Sequence, residues 1–285
     1  MFRKANSFRN KILISALCLV LITIVFLIGR SYQNYGNTDK NINVEELEIH
    51  FIQTYDDANC ILLYQKDTAI LIDTGEKQDA ENIIGFLKEK NISVIDYMIL
   101  THPDKDHIGG AIDIIDNFSV QCIVQPYYDL ENERKKQLDA KIEEENIKLL
   151  IPDSIENFSR DDLSISVYPP KRQEYDNDNN YSLAILVNHK DVNLLFTGDA
   201  KKKRLKELLN IKWPDIALYQ VAYHGRDVER SPEFLEYVSP TYAVSTSSDS
   251  DESIEEVCKK TNTELFHSVK ETVSFISNGS QCSKL

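Results

Sequence analysis

THPDKDHIGG, residues 101–110, decides the reading of this chain. It sets His102, Asp104, Asp106 and His107 within six residues. Imidazole nitrogen and carboxylate oxygen are the donors that bind divalent metals. In extended backbone, alternate side chains point one way and neighbours the other. His102, Asp104 and Asp106 can then share one side while His107 faces the other, which allows a loop that divides its ligands between two ions. A polar turn whose aspartates merely cap a helix is the plain alternative, but two histidines and two aspartates exceed what capping needs. Gly109 and Gly110 let the chain pass close to whatever is bound.

Before the loop, ELEIHFI (46–52), ILLYQ (61–65) and TAILID (68–73) are short β-rich runs that predict an antiparallel meander. Ala80, Ile83, Ile84 and Leu87 fall at helical spacing within 76–90, and DYMIL (96–100) follows as a buried strand. After the loop the pattern predicts helices near 110–117 and 130–145. It predicts strands at 121–125 and near 163–168, 182–188 and 192–198. A further helix begins near Lys201, and strand 216–222 runs into a second histidine-containing loop. Helix 232–238, strand 241–246, helix 252–260 and strands 263–267 and 271–277 complete the chain. Two sheet-forming halves, each with its own helices, are the pattern of a four-layer αββα sandwich.

Residues 12–28, ILISALCLVLITIVFLI, carry no charge over 17 positions, at the short end of the ~17–25 residues that cross a bilayer. The segment spans a membrane or is a signal peptide. The poor small-x-small match in IGRSYQNYG favours an uncleaved anchor. Arg3, Lys4, Arg9 and Lys11 precede it with no acidic residue, which predicts a cytoplasmic N-terminus and an extracytoplasmic remainder. SYQNYGNTDKNIN (31–43) reads as a linker. Beyond Arg30, 27 basic residues face 46 acidic ones, a balance of −19, and such a field opposes tight nonspecific binding of polyanions. Cys60, Cys122, Cys258 and Cys282 show no CxxC spacing, so no zinc knuckle or redox motif is indicated. KKKRLKELL (201–209) concentrates five cations in six residues, as a solvated helix face or an anion-binding ridge.

The metal loop resembles that of the metallo-β-lactamase superfamily, HxHxDH, and within it the HxDxDHxGG form of the hydrolase-like domain in ComEC-type DNA-uptake proteins. Four further stretches follow the family's order: AILIDTG (69–75), NNYSLAI (179–185), LLFTGDA (194–200) and VAYHGR (221–226). FIQTYDDANCILL is similar to the family's opening motif with its glycines lost. The resemblance implies that His102 and Asp104 hold one metal, that Asp106, His107 and His224 hold a second, and that Asp199 bridges them. Asp73 would support the loop from behind. The superfamily's usual third histidine on the first metal is absent, and Asn180 and Ser182 occupy that region. His189, in NHKD between two strands, reads as a hairpin turn. Tyr223 stands where the family has a first histidine, and Arg226 where it has serine, adding a planar cation able to pair with a phosphate.

The expectation is therefore a cytoplasmic tail and transmembrane helix over 1–30, a linker over 31–44, and a metallo-β-lactamase-like hydrolase domain over 45–285. Two divalent ions are implied, zinc or manganese. A first site with one histidine and two carboxylates is harder than a usual zinc site and tilts toward Mn²⁺ or Fe²⁺. The expected reaction is two-metal hydrolysis of a phosphodiester by an activated water, with Asp106 and Asp199 at its centre. Nucleic acid and a phosphodiester cell-envelope polymer both remain as substrates. A binding or sensing protein that keeps the fold with a decayed site is the alternative.

Overall fold

The structure is a computed structural model that describes residues 45–285. The expected membrane span and linker lie outside the described residues. Among the described residues, no helix is long and apolar enough to cross a membrane.

Strands Leu47–Phe51, Ile61–Gln65 and Thr68–Ile72 form the antiparallel meander. Tyr97–Ile99, Cys122–Val124 and Lys148–Leu150 extend it in parallel, and Val273–Ser277 with Cys282–Lys284 close the opposite edge of an eight-stranded sheet. A second, seven-stranded sheet holds Glu156–Arg160, Leu163–Tyr168, Ala184–His189 and Val192–Phe196 antiparallel. Leu218–Gln220, Tyr242–Ser245 and Glu264–His267 continue it in parallel.

Side-chain alternation builds the layers. Ile61 and Leu63 enter the core between the sheets, while Leu62 turns outward against Ile83 and Leu87 of helix Ala80–Glu89. In the second sheet Ile185 and Val187 face the inter-sheet core. Ala184 and Leu186 pack with Leu205, Phe234 and Ile254 of the outer helices. Strands buried on both faces read as unbroken apolar runs, which made them legible. Phe51, Phe196 and Phe275 meet at ring separations of 6.3 Å between the sheets. Each such buried side chain contributes roughly 1.5–3 kcal/mol. The αββα architecture stands.

The metal loop is not extended throughout. Lys105–Ile108 is one helical turn, because the His107 and Ile108 N–H groups both donate to the Asp104 carbonyl. Asp104 holds the N-cap position, yet its side chain caps nothing. Gly109 and Gly110 serve packing and not the approach of a ligand: a Cβ on Gly110 would lie 2.4 Å from the Thr74 carbonyl, and one on Gly109 2.7 Å from the Lys77 nitrogen. The strand expected from 182 begins at Ala184, after a 3-10 turn, Asp178–Tyr181. Edge strand Glu156–Arg160, ENFSR, escaped the sequence because its mostly exposed residues show no alternation to read.

Candidate metal centre

Three chain segments meet at the ends of the central strands. Asp106 and His107 come from the helical turn, Asp199 from the loop after Val192–Phe196, and His224 from the loop after Leu218–Gln220. One donor atom from each of these four lies within 4.8 Å of all the others. His107 Nε2 is 3.2 Å from Asp199 Oδ1 and 3.3 Å from Asp106 Oδ2. His224 Nε2 is 3.2 Å from Asp106 Oδ2 and 3.1 Å from Asp199 Oδ2. The Asp199 carboxylate thus turns one oxygen to each imidazole.

Both rings are held from behind. Asp73, fully buried at the end of strand Thr68–Ile72, accepts from His107 Nδ1 at 2.7 Å, from the Thr101 N–H at 2.7 Å, from the Thr101 hydroxyl and from Asn59 Nδ2, both at 2.8 Å. Four donors satisfy a carboxylate that burial would otherwise penalise. They also fix the His107 tautomer, leaving Nε2 to face the centre. His224 Nδ1 lies 2.8 Å from the Thr246 hydroxyl, and the Ser245 and Ser247 hydroxyls both donate to the His224 carbonyl. Tyr223 and His224 sit at φ 51° and 53°, left-handed backbone that costs roughly 1–3 kcal/mol per residue. The serine clamp holds that strained turn and aims the ring.

Two atoms test whether a cation fits. His107 Nε2 and Asp199 Oδ1 are buried without a hydrogen-bond partner, and they face each other. An ion among two nitrogens and two carboxylates would satisfy both at once. Without an ion, protons take its place. Burial opposes charge on His224, but Asp199 and the hydrogen bonds with Asp106 and Asp199 outweigh it and push its pKa up to about 9. Burial likewise works against the His107 cation, and the Asp199 and Asp73 charges override it, raising its pKa well above the ordinary imidazole range. Burial would raise the Asp199 carboxyl, yet the His224 and His107 charges hold it well below the usual carboxylate range.

His102 and Asp104 stand to one side. Their donor atoms are 3.4 Å apart, and the His102 ring centroid is 4.1 Å from that of His107. Asn179, which the sequence reading passed over, spans the gap to Asp199. Asn180 and Ser182 do not point at the centre: Asn180 Oδ1 accepts from the Arg204 N–H, and the Ser182 hydroxyl donates to the Asn179 carbonyl and accepts from the Asp199 N–H. Tyr223 packs its ring under Lys201 Nζ, 3.9 Å away. Arg226 lies with its guanidinium against Asp57, at 3.0 Å, and Asp249, at 2.6 Å. His189 is a buried strand residue between Gln65 and Ser277. In the cationic segment, Arg204 is 1% exposed and bonded to Glu207, while Lys202 and Lys203 pair with Glu229 and Asp176.

The metallo-beta-lactamase superfamily matches residues 54–248, more than half of the chain. ComE operon protein 3 of Bacillus subtilis is 27% identical over 193 residues, covering 61% of this chain and 25% of that protein. Recombination protein 2 of Haemophilus influenzae is 26% identical over 191 residues, 65% of this chain and 22% of that one. The match therefore spans about a quarter of these relatives' length. In fold, the metallo-beta-lactamase fold protein YhfI of Bacillus subtilis superposes with a TM-score of 0.58 at 12% identity, over 82% of this chain and 100% of its own. The chain belongs to the metallo-beta-lactamase superfamily and is a ComEC-like member of it.

Proposed function

We propose that this chain hydrolyses phosphodiesters with divalent metal ions, and that it does so outside the cytoplasm from a single-pass membrane anchor. The observation that carries the reading is the convergence of Asp106, His107, Asp199 and His224, with two buried donor atoms left unsatisfied at its centre. Divalent cations held there supply an activated water and stabilise charge on phosphoryl oxygens. The chain's own residues do the positioning. Asp73 and Thr246 fix the two imidazoles, and the helical turn carries Asp106 beside them. Asp199, with one oxygen toward each histidine, ties the His107 and His224 imidazoles to a single carboxylate.

Phosphodiester chemistry is supported by the ComEC likeness and by a donor set that pairs two imidazoles with two carboxylates, a mix that suits divalent cations. Relatives named for competence and recombination favour nucleic acid as the polymer, while the −19 balance beyond Arg30 opposes a long polyanion track. A short or single-stranded end reaching the centre reconciles the two. The extracytoplasmic placement rests on the basic residues ahead of the 17-residue apolar run.

The test is turnover of bis(p-nitrophenyl) phosphate and of single-stranded DNA by the full chain, stripped of metal and then reloaded with Mn²⁺ or Zn²⁺. Turnover that appears on loading and vanishes in Asp199→Ala supports the reading. A loaded, folded protein that cleaves neither substrate contradicts it and leaves the binding or sensing alternative.

A further inference from the structure

We infer that Lys201, held over the ring of Tyr223, is an anion-binding residue beside the metal centre, and that it takes a phosphoryl oxygen of the substrate. This rests on the phosphodiester reading above and adds to it a protein group that contacts the phosphate. Lys201 Nζ lies 3.9 Å from the centroid of the Tyr223 ring. That ring is 6.1 Å, centroid to centroid, from the imidazole of His224, one of the four clustered donors. The ammonium is therefore one aromatic ring removed from the centre.

What marks this lysine is its lack of a countercharge. The three cations that follow it are paired: Lys202 with Glu229, Lys203 with Asp176 and Arg204 with Glu207. Lys201 is half-buried, yet no carboxylate of the described residues comes within 4.0 Å of its nitrogen. Every other described lysine without such a partner is exposed. Carboxylates are not scarce here, with 46 acidic residues against 27 basic ones beyond Arg30. An ammonium has three N–H donors, and a ring face attracts the charge while covering only one side of it. The remaining donors are free for an oxyanion. Arg226, the other cation that the sequence offered to a phosphate, is already matched by Asp57 and Asp249.

The backbone fixes this pair against the cluster. Lys201 follows Asp199 by two residues, and the Tyr223 N–H donates to the Gly198 carbonyl at 3.2 Å. Gln220 Nε2 donates to the same carbonyl, and the Thr197 N–H donates to Gln220 Oε1. The loop that carries Asp199 and the loop that carries His224 are thus stapled together where Lys201 and Tyr223 meet. Tyr223 is a positioning residue: it steers the ammonium and does not itself touch the substrate. A fixed cation at this point raises the local concentration of an anion that the −19 balance would otherwise repel.

The experiment is calorimetric titration of inorganic phosphate into the full chain loaded with Mn²⁺, with bound Mn²⁺ counted by elemental analysis. Lys201→Gln is expected to weaken phosphate binding about 10–100-fold, the scale of losing one charge-assisted hydrogen bond, with ion count and unfolding midpoint unchanged. That gap should narrow as salt is added. Lys201→Arg keeps the cation and is expected to restore most of the affinity. Tyr223→Leu keeps the bulk, loses the ring face, and is expected to fall between the wild-type chain and Lys201→Gln. With bis(p-nitrophenyl) phosphate, Lys201→Gln should raise KM while leaving kcat within about threefold. Wild-type affinity for phosphate in Lys201→Gln overturns the inference, and so does a loss that tracks a lost ion or that Lys201→Arg fails to restore. Failure of the hydrolase reading is separate: it would appear as Lys201-dependent phosphate binding without phosphodiester turnover.

Discussion

The two sides of the centre are built to different standards. On one side Asp106, His107, Asp199 and His224 converge from three segments, and each imidazole is braced by a second buried partner. On the other, His102 and Asp104 touch each other and reach Asp199 through an amide, and the Asp104 side chain is 31% exposed. A donor braced in advance loses little freedom when an ion arrives, whereas an exposed carboxylate loses more. We expect ions to load in order, the braced side first.

The largest effect is expected of Asp199→Ala, since the Asp199 carboxylate meets both imidazoles of the braced side and the Asn179 amide of the other. It is expected to remove both ions and reduce turnover at least ~100-fold, on the scale of losing a principal group that stabilises transition-state charge. Elemental analysis and steady-state assay would check it, with circular dichroism verifying the fold. His224→Ala should damage the braced side and leave the other measurable, so one equivalent with weakened overall affinity is the expected outcome.

Next in size is pH. In the metal-free protein the His224 pKa is raised from 6.5 to about 9, and His107 is raised as well. An ion must displace those protons, so affinity on the braced side should increase as pH rises toward 9, with proton release on binding. The sign for stability is opposite. A histidine whose folded pKa exceeds its unfolded value stabilises fully below about 6.5 and loses that contribution as pH rises through about 9. Metal-free protein should therefore melt at a lower temperature at pH 9 than at pH 6.5, and added metal should reverse that trend. Calorimetry in buffers of different ionisation enthalpy would read both effects.

Smaller still is the loss of a brace. Thr246→Val removes the hydroxyl that meets His224 Nδ1 and is expected to weaken the first ion about 10–100-fold, with the second little changed. Equal weakening of both equivalents in calorimetric titration would show that the two sides are not separately built.

Much of this was legible in the sequence. HPDKDH is dense in ligand types, and strands such as ILLYQ and AILVNH are apolar on both faces because both are covered. Asp199 and His224 lie 92 and 117 residues beyond His107, and only the order of resembled motifs linked them to the loop. Asn179 escaped because NDNN has the composition of any polar loop. Its neighbours Asn180 and Ser182 drew the assignment, but they hold the backbone of the site instead of facing it. Thr246 was hidden in STSSDSDES for the same reason. KKKRLKELL read as a solvated helix face or an anion-binding ridge, yet helical periodicity turns Arg204 inward with Leu205 and Leu208.

The braced cluster has the donors of a metal centre. It is tested most directly by counting the ions retained by the full chain and by the Asp106→Ala/His107→Ala double variant after dialysis against Mn²⁺ or Zn²⁺. The double variant is expected to lose the tightly held ion, because two of four braced donors are gone. Unchanged stoichiometry and affinity in a folded double variant would contradict it.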